Sequence, residues 1–301
     1  MKIYKFHLLI SMIFALTACV PLVGKINVEI ETPIPQSENT PTLPPTPTET
    51  ELPRPTETPR PTQPPTNVIL TPEAGGYPPN PLNFDAIQIT EPGPGSRLAA
   101  PIHITGNADP TFEQTLVIRI VLDDGTELNR ATTNILTDAG NRGPFSIDMD
   151  FAVLGERQAF IQVFSVSPRD GGITHLNSVL VTLADSGPVD IRQAMISNEP
   201  IVVANPLPGG IVSGGVAHIE GYAAPSFENH LFIEIVDVNG NVVGSAPVIV
   251  DAPDFGVPGP FTIDIPYTIT EAQAGRIVIH DPSVVIEGDV HLVSVEVQFE
   301  P

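Results

Sequence analysis

Six histidines follow residue 100, namely His103, His175, His218, His230, His280 and His291, in a chain with 35 acidic residues. A histidine beside a carboxylate can move a proton, activate a hydroxyl or help to hold a metal ion. Triad hydrolysis sets its nucleophile on a strained turn such as Gly-x-Ser-x-Gly, and no such run occurs in the chain. The spacings that hold zinc, His-Glu-x-x-His or a cluster of cysteines, are absent as well. Asp123-Asp124-Gly125 and Asp237-Val238-Asn239-Gly240 depart from the calcium-loop pattern and read as hairpin turns. His103 and His218 stand 115 residues apart, and His175 and His291 stand 116 apart, which marks them as repeated positions. His103 lies between Ile102 and Ile104, on the face of a strand opposite a core pair, a place facing solvent or a neighbouring domain. Glu113 after Phe112 reads as a residue satisfying backbone donors near a strand. The expectation is a protein with no catalytic residues, no cofactor and no metal.

Binding chemistry is equally sparse. Sugar-binding modules stack their ligands on exposed Trp or Tyr, whereas this chain has no Trp and only Tyr222 and Tyr267 beyond residue 84. Hydrogen-bonded recognition by a loop is the remaining route, and Ser167-Pro-Arg169-Asp170-Gly171-Gly172 is the candidate, with Ser167, Arg169, Asp170 and Gly171 as its binding residues. Recognition of a protein partner along an exposed sheet edge is the rival.

A duplicated domain must position these residues. Gly106-Asn-Ala-Asp-Pro-Thr-Phe-Glu-Gln-Thr-Leu-Val-Ile118 returns as Gly221-Tyr-Ala-Ala-Pro-Ser-Phe-Glu-Asn-His-Leu-Phe-Ile233, and Gly143-Pro-Phe-Ser-Ile-Asp as Gly259-Pro-Phe-Thr-Ile-Asp. A period of about 115 residues exceeds that of a solenoid, so each copy should bury its own core. Within a copy the hydrophobic period is two: Leu116, Ile118, Ile120 and Leu122 alternate with Val117, Arg119 and Val121, and Leu231, Ile233 and Ile235 repeat the pattern. Further strands are expected at 86–90, 102–106, 145–151, 159–165 and 178–183, and no long amphipathic helix appears. About seven short strands per hundred residues predict an all-β chain of two tandem immunoglobulin-like antiparallel sandwiches. Phe112, Phe145 and Phe151, with Phe227, Phe261 and Tyr267, are the expected large core residues.

The N-terminal third is different in kind. Lys2 and Lys5 precede an apolar run from Phe6 to Leu16, too short to span a bilayer and suited to a secretory signal. The run ends in Leu16-Thr17-Ala18-Cys19, which resembles the lipobox of bacterial lipoproteins and implies cleavage before Cys19 and its lipidation. Cys19 is the one cysteine of the chain, so no intrachain disulfide can form. Two or more acyl chains hold a protein stably on a membrane. Val20 follows Cys19 where an inner-membrane retention signal has aspartate, which hints at an outer membrane in a host with two. From about Glu31 to Pro81, tracts such as Thr40-Pro-Thr-Leu-Pro-Pro-Thr-Pro-Thr48 have few apolar side chains and few backbone donors. They predict an extended stalk, rising about 3.1 Å per residue. The expected organisation is a signal peptide at 1–18, an anchor and stalk at 19–84, domains at 85–184 and 199–301, and a linker at 185–198.

Charge narrows the partners. Thirteen basic residues less Lys2 and Lys5 leave 11 against 35 acidic ones, and Arg276 is the only lysine or arginine after residue 198. Such a surface repels nucleic acid and anionic lipid headgroups.

The order Pro92-Gly-Pro-Gly-Ser96, Ile104-Thr-Gly106, Phe112-Glu113, Asp124-Gly125, Gly143-Pro-Phe145 and Ser167-Pro-Arg-Asp-Gly171 resembles the Gmad2 domain, an immunoglobulin-like domain associated with bacterial spore-germination proteins. The second copy is similar at Pro206-Leu-Pro-Gly209, Gly221, Phe227-Glu228, Asn239-Gly240 and Phe261. It departs where Asp281-Pro282-Ser283-Val284-Val285 replaces the Ser167 loop. The resemblance implies an extracytoplasmic, non-catalytic module, without the germination domain that gives the family its name. The expected protein is a lipid-anchored, surface-displayed lipoprotein that binds a cell-wall polymer or an envelope protein. The alternative is an accessory subunit of an extracytoplasmic enzyme or transporter complex.

Overall fold

The computed structural model describes residues 84–286 and 288–301. The signal segment, Cys19 and the Pro/Thr tracts lie outside the described residues. The first half contributes eight strands: β1 (Ile87–Glu91), β2 (Arg97–Leu98), β3 (Ile102–Ala108), β4 (Thr115–Leu122), β5 (Glu127–Asn134), β6 (Gly143–Met149), β7 (Glu156–Val166) and β8 (Ile173–Ala184). The second half repeats them in the same order: β9 (Ile201–Asn205), β10 (Ile211–Val212), β11 (Val216–Ala223), β12 (His230–Val236), β13 (Val242–Ile249), β14 (Gly259–Pro266), β15 (Gln273–Pro282) and β16 (Asp289–Phe299). Among the described residues there is no α-helix, only a short 3-10 turn before β4 and another before β12. The fold is all-β and immunoglobulin-like, with antiparallel sheets apart from the short parallel pairings of β2 with β8 and β10 with β16.

In each half a three-stranded sheet, β1-β3-β6 or β9-β11-β14, covers one face of a larger sheet. Alternation along the strands sends Ile104, Leu116, Ile118, Ile120, Phe145, Ile161 and Val181 into the first core and Ile219, Leu231, Ile233, Ile235, Phe261, Ile277 and Val297 into the second. Gly125 and Gly240 take the left-handed conformation that tightens the β4–β5 and β12–β13 hairpins.

The aromatic residues divide. Phe145, Phe261 and Tyr267 are buried and Phe151 packs on the core edge, whereas Phe112 and Phe227 are 59% and 57% exposed. The expectation that these two fill the core is corrected by the turn that carries them. Glu113 and Gln114 in one copy, and Glu228 and Asn229 in the other, have φ between 53° and 57°. That left-handed turn takes each phenylalanine off the alternation of the strand that follows.

The large sheets of the two halves are one sheet, ordered β13-β12-β15-β16-β8-β7-β4-β5. Its centre is the antiparallel pair β8–β16, where Leu176 lies opposite Leu292, its own equivalent in the repeat, and His291 and Val293 lie opposite Asn177 and His175. A local two-fold axis therefore runs through the seam. Joining at β8 and β16 pairs two strand edges that would otherwise be unsatisfied. Beneath the seam Leu176 and Leu292 pack with Phe164, Val236 and Val278. Beside it Ile286, from the loop that departs from the repeat, packs on Val121 and Phe160 of the first half. Polar links cross as well: Gln162 Nε2 donates to the Asp289 carbonyl at 2.7 Å, Ser178 Oγ to Val290 at 2.7 Å and Ser294 Oγ to Thr174 at 2.9 Å.

The segment 185–198 runs along the first half. Its backbone bonds to β2 through Asp190 with Arg97, to β1 through Ala194 with Thr90, and to the connection between those strands through Arg192 with Gly93, while Ile191, Met195 and Ile196 stay exposed.

Candidate functional site

The seam gathers four side chains that can ligate a metal or share protons. His175 and His291 stand on the same face of β8 and β16, on either side of the two-fold axis, because each is one residue from the Leu176–Leu292 pair. Asp85 and Glu199 sit just before β1 and β9, at equivalent places in the two halves. The Asp85 amide donates to the Ser197 carbonyl, which brings the start of each half to the same point.

Asp85 is 1% exposed, and its carboxylate is fully engaged. Oδ1 accepts from the Ile87 amide at 3.1 Å and lies 3.1 Å from His175 Nε2, and Oδ2 accepts from Asn177 Nδ2 at 2.6 Å. Glu199 Oε1 lies 2.6 Å from His291 Nε2, while Oε2 accepts from the Ala86 amide at 3.2 Å and lies 3.6 Å from His175 Nε2. The imidazoles meet edge to face with centroids 5.1 Å apart. One ligand atom from each of Asp85, His175, Glu199 and His291 falls within 4.8 Å of all the others.

Burial and pairing compete in setting the charges. Burial pushes the His291 imidazole down, but its hydrogen bond and attraction to Glu199, with the charges of Asp85 and Asp281, outweigh this and leave its pKa above the ordinary value. Burial pushes Glu199 up, and the His291 hydrogen bond with both imidazole charges brings it below the ordinary carboxylate value. Asp281, opposite His291 on β15, is raised by burial to about 6. The set can hold a divalent cation in an N₂O₂ cage, or without one share protons between two acids and two imidazoles.

The loop chosen from the sequence has a different place. Ser167 is buried, and its backbone closes the loop on Gly171 and Gly172, with Gly171 at φ 73°. Asp170 Oδ1 accepts from Arg276 Nη1 at 2.8 Å, with both side chains 3% exposed or less, and Arg169 forms a forked pair with Glu296 at 2.9 and 3.3 Å. The polar groups of Arg169 and Asp170 thus join the first sandwich to the second. His103 and His218 are exposed, each 2.6 Å from an aspartate, Asp148 and Asp264. His230 is exposed, and His280 pairs with Asp289 at 2.8 Å.

Sequence reasoning missed Asp85 and Glu199 because the four residues come from four separate segments and form no local motif. One signal was available: an acid recurs at spacing 114 and a histidine at spacing 116, each close to the repeat period.

Residues 86–172, from β1 through β7, match the Gmad2 family model, described as the immunoglobulin-like domain of bacterial spore germination. No curated protein matches the chain. Among solved structures it is similar to a red sea bream transglutaminase, at 9% identity and TM-score 0.25 over 71% of this chain and 32% of that one. It is also similar to the dimeric latent PorU of Porphyromonas gingivalis, at 9% identity and TM-score 0.22 over 72% of this chain and 24% of that one. The chain spans about a third and a quarter of those two proteins.

Proposed function

We propose that the chain is a non-catalytic lipoprotein of a bacterial cell surface, anchored through Cys19 and carrying two Gmad2-type sandwiches that bind a component of the cell envelope. The observation that carries this reading is the family match over residues 86–172, together with the return of the same eight-strand order in residues 201–299. Leu16-Thr-Ala-Cys19 and the Pro/Thr tracts supply the anchor and the spacer. The reading gives catalysis no part.

Two experiments test it. Radiolabelled palmitate should label the wild-type chain in a bacterial host and leave Cys19→Ala unlabelled; equal labelling of both removes the anchor. The full chain carrying Cys19→Ala, passed over fractionated envelopes, should be retained by the purified wall polymer. Capture of one stoichiometric protein with the polymer fraction empty would instead make this an accessory subunit of an envelope complex.

A further inference from the structure

The four side chains at the two-fold seam have a chemistry that the envelope-binding reading does not use. We propose that Asp85, His175, Glu199 and His291 bind one Zn²⁺ ion, which clamps the two sandwiches together at the β8–β16 seam.

The ligand types select the metal. Two imidazole nitrogens with two carboxylate oxygens suit zinc, whereas calcium and magnesium seek six or more oxygens, several of them from water. Both Nε2 atoms face the same small volume as the two carboxylates, at 2.6, 3.1 and 3.6 Å. Tetrahedral zinc with bonds of about 2.1 Å sets its ligands about 3.4 Å apart. The set spans 4.8 Å at most, so the widest pair closes by about 1.4 Å and the closest opens by less than about 1 Å, adjustments within reach of side-chain rotation. Two carboxylates neutralise a divalent ion in a buried place where net charge is costly.

The surroundings are already those of ligands. Asn177 and the Ile87 amide hold Asp85, and the Ala86 amide holds Glu199, as outer groups hold ligands in zinc sites. Without metal, each Nε2–H hydrogen-bonds a carboxylate. Binding displaces those two protons, moves each imidazole to the Nδ1–H form and releases protons in proportion to the share of imidazolium present. His291 Nδ1 is buried with no hydrogen-bond partner, and Asp281 lies opposite it in the ladder. With all four positions taken by protein, the site is closed and structural.

The full chain, stripped with a chelator and titrated with Zn²⁺, tests this by metal analysis and thermal melts, with Mg²⁺ and Ca²⁺ in parallel. One zinc per chain and a rise in melting temperature for zinc alone are expected. His175→Gln, His291→Gln and Glu199→Gln should each weaken zinc binding more than about 100-fold, the upper range for loss of a merely supporting group. His218→Gln, on the exposed surface, should bind as wild type. Co²⁺ in the wild-type chain should give the intense visible bands of a four-coordinate ion, a readout that does not depend on any variant folding. No zinc retained by the wild type, six-coordinate Co²⁺ spectra, or unchanged affinity in both His175→Gln and His291→Gln would overturn the site. The envelope pull-down is unaffected by any of these results, so the two readings fail separately.

Discussion

At Gly106 and Gly221 the fold depends on a missing side chain. A Cβ at Gly106 would lie 2.1 Å from the Gln88 carbonyl and 2.4 Å from the Phe145 ring, and one at Gly221 2.3 Å from the Phe261 ring. Each glycine is the cross-strand partner of that phenylalanine, which lies over the bare backbone and fills the core. Phe145→Ala or Phe261→Ala should therefore cost about 3–5 kcal/mol in urea unfolding. Phe112→Ala and Phe227→Ala should change stability by no more than about 0.5 kcal/mol, because their rings are mostly in solvent. Phe145 and Phe261 are buried, as the sequence predicts of them. The exposure of Phe112 and Phe227 was not legible, since three of the four left-handed residues after them are Glu113, Gln114 and Glu228, types that announce no such turn, and Asn229 in the second copy alone is of a type that favours it.

At the scale of elements, the buried Asp170–Arg276 pair ties the β7–β8 loop to β15. Asp170→Asn leaves a buried guanidinium without its counter-charge and should cost about 3–5 kcal/mol, while Asp170→Leu with Arg276→Met should recover most of it. Burial raises the Asp170 pKa, and hydrogen bonds from Arg276, the Gly172 amide and the Ser167 hydroxyl outweigh this, leaving it below its ordinary 3.8. A depressed carboxylate stabilises fully above its unfolded value and loses that contribution as pH falls through the folded one. Urea midpoints of the wild type should thus drop more steeply below about pH 4 than those of Asp170→Asn. The loop was visible in the sequence as polar and turn-rich. Its partner was not, because Arg276 lies 106 residues away and nothing local links the two.

At the scale of the molecule, one continuous sheet and one shared apolar cluster couple the two halves. Calorimetry should show residues 84–301 of the full chain unfolding in a single transition. Leu176→Asp with Leu292→Asp puts two carboxylates face to face under the seam and should split it in two. The sequence by itself determined the strands, the hairpins, the duplication and the two cores, because a period of two and glycine turns act over a few residues. Only the tertiary structure decided that β8 meets β16 about the two-fold axis. Edge pairing joins backbones whatever their side chains, so no pattern in either strand names its partner; that pairing brings His175 to His291, and the contact between the segments before β1 and β9 adds Asp85 and Glu199.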